Sequence, residues 1–443
     1  MQPRAALRGR DAVAIIVGIV VGAGIFRAPS LVAEFTRDAG WALALWGAGG
    51  AISLVGALCY AELASAYPHA GGDYHFLTRA FGRDVSFLYG WARATVINTG
   101  SIALLAFVFG DYASRIVALG PHSGAVWAAA LVIALTTINL ASLAASARTQ
   151  NWLTTIEVSG LVVICAAGVF ATPAAPAASA WFATAPASGM VGLALVFVLL
   201  TYGGWSEAAY ISAELRGGPR AIVGTLVASI AIITALYMAA NAALLHGLGV
   251  AGLAGGKAAA ADVVANAFGR VAGDALAVFV AVATLTSINA TMLVGARTNY
   301  ALSGDWSSLR LIGGWNVERG VPTRAFLLQG ALALALIGFG AMQKDGFEAM
   351  VEFTAPVFWG FLTLVGIALI VLRVRDPAAP RPFRVPLYPL TPLLFIAACA
   401  FLFQSSIGYA TSRSALHVCL LVMATGVGAW VLTRLRATAH PTA

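Results

Sequence analysis

Apolar runs of about 20 residues, each long enough to cross a hydrocarbon core of about 30 Å, recur from the first residues of this 443-residue chain nearly to its last. A segment in lipid must satisfy every backbone N–H and C=O internally, and an α-helix does this within a single run. The chain is therefore expected to be an all-α integral membrane protein with no separate soluble domain. Composition agrees: 60% of the residues are hydrophobic, 10% are charged and the mean hydropathy is +0.87. Soluble domains are about half apolar and a quarter charged. The first run follows Arg4, Arg8 and Arg10 but has no small-residue cleavage site behind a short apolar core, so it reads as a retained helix.

About twelve spans are expected, at 11–36, 41–67, 84–116, 123–145, 152–171, 190–215, 220–247, 270–303, 324–343, 347–373, 389–409 and 413–434. With the N-terminus inside, about 17 Lys and Arg residues fall in inside loops and about 7 in outside loops, setting aside Arg93 and Arg297 within spans. This bias predicts a multi-pass protein with both termini cytoplasmic. The arginine-rich, lysine-poor, alanine-rich composition is of a bacterial kind and points to the cell inner membrane. The inside bias also accounts for the net charge of +8 without a nucleic-acid partner, because the basic residues are scattered and lack interleaved aromatics.

Catalysis finds little support. Cys59, Cys165, Cys399 and Cys419 lie inside apolar runs without metal-ligand spacing. His69, His75, His122, His246, His417 and His440 are scattered over loops and ends, and no zinc-protease or nucleophile-elbow motif occurs. No cofactor and no metal site are expected. A channel would call for a ring of charges or a carbonyl filter, and neither is visible.

Two spans are interrupted in the same way. Gly18, Gly22 and Gly24 break the first, with Pro29 beyond; Gly203 and Gly204 break the sixth. Each glycine weakens a helix by about 1 kcal/mol, so a cluster favours local unwinding. Unwound backbone at membrane depth persists only where it lines an enclosed cavity. Broken helices in equivalent positions of two halves mark a midplane substrate site in transporters built from inverted repeats. A separation of five spans divides the chain into a first repeat over 11–171, an inverted second repeat over 190–373, and two further helices with a tail over 374–443.

The stretch GIVVGAGIFRAP at 18–29 and CYAELASAYPHAGGDYHFL at 59–77 resemble signatures of the amino acid–polyamine–organocation superfamily. TYGGWSEAAYISAEL at 201–215 resembles the broken sixth helix of its L-type amino acid transporter branch. RTQNWLTTIEV at 148–158, GARTNYALSGDW at 295–306 and RPFRVPLYP at 381–389 extend the resemblance over essentially the whole chain. It implies a LeuT-like fold of five plus five inverted helices, helices 1 and 6 being broken. The implied activity is secondary active transport of L-amino acids by alternating access, as a proton symporter or exchanger (antiporter). Neutral substrates are the leading expectation, and a cationic amino acid or polyamine transporter of the same fold is the alternative.

A zwitterion needs donors for its carboxylate and acceptors for its ammonium group. The N–H groups of Gly22, Ala23, Gly24 and Ile25 open a half-helix whose positive end suits a carboxylate. The carbonyls around Leu200, Thr201 and Tyr202, next to Gly203, suit the ammonium group. Trp205 is a candidate pocket wall, equally readable as a packing residue. Asn98 of the third span and Ser287 of the eighth are candidate side-chain contacts. Arg27 is expected at an outer vestibule.

Charged groups inside a bilayer are functional candidates by default. Glu62 reads best as a structural ion pair with loop arginines, and Glu207 keeps the cationic-substrate alternative open. Glu157 stands where sodium-independent relatives carry a lysine, as the resemblance implies, and is the candidate coupling residue, taking up a co-transported proton or cation. Animal L-type relatives join a glycoprotein through a cysteine after the third helix. The matching loop, 115–124, has none, so no disulfide-linked ancillary subunit is expected, and the partners are an amino-acid substrate, the coupled ion and membrane lipid.

Overall fold

The structure is a computed structural model. It describes residues 9–69, 71–141, 146–172, 181–187, 189–206, 218–306, 309, 314, 322–412 and 415–439. The fold is all-α and multi-pass: among the described residues, nine helices are long and apolar enough to cross a membrane.

The chain begins with α1 (Gly9–Val20), a 3₁₀ turn (Ala23–Phe26) and α2 (Ala28–Thr36). Next come α3 (Ala39–Ala66), α4 (Asp73–Phe81), α5 (Arg83–Ala92), a π-helical segment (Arg93–Ile97), α6 (Asn98–Ile116), α7 (Ser123–Ala141) and α8 (Ser146–Phe170). Then follow α9 (Met190–Thr201), α10 (Gly218–Gly255), α11 (Ala259–Phe268) and α12 (Arg270–Asp305). The last four are α13 (Thr323–Ala341), α14 (Gly346–Arg375), α15 (Leu390–Ser412) and α16 (Ala415–Ala439).

About twelve spans were expected, and nine of them are single helices long and apolar enough to cross a membrane among the described residues. The shortfall falls at 11–36, 152–171 and 190–215. The first is divided by its glycines into α1, the 3₁₀ turn and α2, none of which spans a bilayer alone. The sixth stops as α9 after 12 residues, and of the fifth only Val158–Phe170 counts as a described apolar stretch.

Two compact units divide the chain. The first comprises Met1–Ala80, Thr154–Val280 and Trp359–Ser406. Within it α10 packs on α1, α2 and α3, while α9 packs on α2 and α3. The second comprises Phe81–Leu153, Ala281–Phe358 and Ile407–Ala443, where α6, α7 and α13 pack mutually and α16 packs on α5.

The start of α3 is fixed by Asp38, whose carboxylate accepts from the N–H of Trp41 (3.0 Å), Phe182 (3.1 Å) and Ala183 (3.0 Å). It thereby caps α3 and ties down the segment preceding α9. Burial alone would raise the Asp38 pKa, but these backbone donors outweigh it and hold the group below the usual carboxylate value.

A buried ion cluster closes the opposite end of α3. Glu62, 2% exposed, accepts from Arg373 Nε at 2.7 Å and Nη2 at 2.5 Å, and from the Val385 N–H at 2.6 Å. Arg381 Nε lies 3.5 Å from it. The sequence expectation of a structural ion pair is met, with one partner, Arg381, in the connector and the other, Arg373, in the last turn of α14.

Candidate functional site

The first break is backbone chemistry. Gly22 is extended (φ −122, ψ 178) and precedes the 3₁₀ turn. Ile25 donates to the Gly22 carbonyl at 3.4 Å and Arg27 to that of Gly24 at 3.1 Å. The N–H groups of Gly22, Ala23 and Gly24 precede the first closed turn, the positions that lack intrahelical acceptors. Pro29 sits in the first turn of α2, where its missing N–H costs nothing.

The second break follows α9. Gly203 donates to the Leu200 carbonyl at 3.1 Å, and a Cβ at Gly203 would stand only 2.8 Å from that oxygen. Gly204 has φ +99, a left-handed conformation that strains residues with a Cβ. Both positions therefore require glycine, and the helix cannot continue through them.

The breaks meet. A Cβ added at Gly24 would lie 3.4 Å from Thr201 Oγ1 and 3.6 Å from its Cα. The Tyr237 hydroxyl of α10 lies 3.1 Å from the Val20 carbonyl and 3.2 Å from the Thr201 carbonyl. One hydroxyl proton thus serves the last carbonyls of both interrupted helices. Around it, Tyr202 donates to the Trp46 carbonyl at 2.9 Å, and the Tyr202 and Tyr237 rings pack edge-on with centroids 4.9 Å apart.

The structure thus brings the residues of the two breaks together in the first unit. Trp205 is 4% exposed and packs edge-on against Tyr60 and Phe395. Arg27, expected at a vestibule, is buried at 3% exposure. Asn98 and Ser287 belong to the second unit, where Asn98 opens α6 directly after the π segment. Glu157 lies in α8, but its side chain is outside the described residues, and so are Glu207 and Glu214. Among the described residues no group of three His, Cys, Asp or Glu is placed to hold a metal.

Sequence reasoning missed Tyr237. Its signal was a hydroxyl in the middle of an apolar span, which must find a partner when buried. It also passed over Glu348 and Glu352, buried one turn apart on α14, although an acidic residue within a span is the ordinary flag. The Tyr409 hydroxyl donates to Glu348.

Replacing Tyr237 by phenylalanine keeps the ring packing and removes the shared donor. Leaving a buried acceptor unsatisfied costs about 1–3 kcal/mol. Initial uptake is expected to fall about tenfold, the equivalent of about 1.4 kcal/mol, with a modest fall in the melting temperature of the purified protein. Unaltered uptake would make the bridge a packing feature only.

A family model described as amino acid permease matches residues 7–425. The chain is 29% identical to the b(0,+)-type amino acid transporter 1 of Mus musculus over 411 residues, covering 89% of this chain and 81% of that protein. It is 29% identical to the large neutral amino acids transporter small subunit 2 of Homo sapiens, covering 95% and 79% respectively. It is 27% identical to the cystine/glutamate transporter of Homo sapiens, covering 96% and 84%.

These relatives correct one expectation. A chain without a disulfide-linked ancillary subunit was expected from the missing cysteine at 115–124, yet a relative covering nearly the whole chain is by name a small subunit, part of a larger assembly. The inference was physically too narrow. A cysteine absent from one loop removes one covalent tether and says nothing of the non-covalent surface on which subunits meet.

Proposed function

We propose that this chain, which belongs to the amino acid permease family, moves its substrate by alternating access through a site built at the breaks in its first and sixth spans. It is a secondary active amino-acid transporter and not an enzyme. The observation that carries the site is the Tyr237 hydroxyl standing between the Val20 and Thr201 carbonyls. The N–H groups of Gly22, Ala23 and Gly24 take the substrate carboxylate, and the carbonyls of Leu200, Thr201 and Tyr202 take its ammonium group. Ile25 and Gly203 frame that contact.

The twelve-span, five-plus-five reading draws support from the make-up of the two units. The first unit joins spans 1, 2 and nearly all of 5 with 6, 7 and the greater part of 10, and the second joins 3 and 4 with most of 8 and with 9, the additional spans 11 and 12 falling mainly in the first and second unit respectively. Each unit thus pairs stretches that an inverted repeat makes equivalent. Arginine distribution supports cytoplasmic termini, and the arginine-rich, alanine-rich composition supports an inner-membrane location.

Of the two substrate readings, the cationic alternative is the better supported, since the b(0,+)-type relatives join 0 and + in their name. Cationic amino acids are the first substrates to try, neutral ones the second. Glu157 is the proposed coupling residue, protonated in one state and ionised in the other, because a ligand shifts an equilibrium only by its differential affinity.

The test is uptake of labelled arginine, lysine, leucine and alanine into proteoliposomes, with pH and sodium gradients imposed separately. Saturable uptake of arginine or lysine under an inward proton gradient is expected. Glu157→Gln should lose gradient-driven accumulation while retaining substrate exchange. Transport of none of these amino acids would overturn the substrate reading; full accumulation by the variant would move the coupling site elsewhere.

A further inference from the structure

A groove of about 500 Å³ opens on the first unit between the first turns of α10 and the connector after α14. Arg220, Val223 and Gly224 line one side; Phe383, Arg384 and Pro386 line the other. Both arginines are exposed, and neither forms an ion pair among the described residues. Residues 164 positions apart are thus brought to one mouth with like charges and no counter-ion among the described residues. Two cations at one mouth make a locally positive site that complements an anion.

The walls say what kind of anion. Val227, one turn beyond Val223, is exposed on α10, and Leu387, Leu390, Leu393 and Leu394 are exposed on the other side. Leu390, Leu393 and Leu394 belong to α15, which like α10 is long and apolar enough to span the bilayer. The apolar lining therefore continues from the groove onto membrane-facing surface. A soluble anion would leave that surface unused. A lipid would place its phosphate at the cations and its chains on the leucines and valines. Both arginines also fall among those that the charge bias assigns to the inner side, where membranes carry anionic lipid.

We propose that this groove binds an anionic phospholipid, its phosphate held between Arg220 and Arg384 and its acyl chains lying over Val223, Val227 and the exposed leucines of α15. The site is separate from the helix breaks and does not depend on which amino acid is carried.

Binding is read from the full-length protein in phosphatidylcholine nanodiscs with and without phosphatidylglycerol, using spin-labelled phosphatidylglycerol and phosphatidylcholine as probes. The wild type is expected to prefer the anionic probe, and Arg220→Ser with Arg384→Ser to lower that preference about tenfold. A Cβ at Gly224 meets nothing within 4 Å, so Gly224→Phe fills the groove while leaving both arginines; it should lower the preference as well. Gly224→Phe also decides the matter if the double variant fails to fold. Three results would overturn the proposal: an unchanged preference in the double variant, an unchanged preference in Gly224→Phe, or displacement of the probe by an equal concentration of inorganic phosphate.

Discussion

Glu62→Ala is expected to destabilise the protein by about 3–5 kcal/mol, the cost of removing one partner from a buried ion pair and stranding the other charge. Glu62 is 2% exposed and faces Arg373 and Arg381, whose side chains are 18% and 6% exposed. Its removal also leaves the Val385 N–H without its acceptor. By contrast, Arg79–Asp376 in the same unit has side chains 44% and 37% exposed, and breaking it is expected to cost about 0–1 kcal/mol. The check is thermal unfolding of purified variants. Glu62→Ala should show a far larger fall in melting temperature than Asp376→Ala. Adding Arg381→Ala to Glu62→Ala should cost less than the sum of the single changes, because it removes a stranded charge. Equal effects of Glu62→Ala and Asp376→Ala would mean that water reaches the cluster.

Gly24→Leu is expected to abolish transport in a protein that still folds. A bare Cβ there already comes to 3.4 Å from Thr201 Oγ1, which is ordinary contact, so Gly24→Ala should remain close to wild type. The further carbons of leucine must enter the space proposed for the carboxylate or push the two breaks apart. Over-packing costs about 1–3 kcal/mol, and falling on the occupied state alone this weakens binding by about 5- to 150-fold. Substrate-induced thermal stabilisation and uptake are measured together. Loss of both in Gly24→Leu, with both kept in Gly24→Ala, supports the carboxylate assignment; unchanged affinity in Gly24→Leu removes it.

Much of the architecture was legible in the chain because membrane folding is governed locally. An apolar run long enough to cross lipid has to close its own hydrogen bonds, so run lengths announce an all-α multi-pass fold before any tertiary contact exists. The breaks were legible for the same reason: the clusters at Gly22 and Gly24 and at Gly203 and Gly204 act on their own helices. What depends on partners distant in sequence could not be read this way. Glu62 finds Arg373 across 311 positions, and its buried carboxylate gave notice of a partner without naming it. Tyr237 reaches the Thr201 carbonyl across 36 positions and that of Val20 across 217, a meeting of three helices that no local pattern encodes. Trp205 stands beside the glycine pair in sequence, yet its ring packs against Tyr60 and Phe395, because side-chain direction after a break is set by the backbone turn and the neighbours waiting there. Sequence established the helical class and where the helices yield; the packing of α1, α9 and α10 established which carbonyls share a donor, since a hydrogen bond is fixed by distance in space and not by distance along the chain.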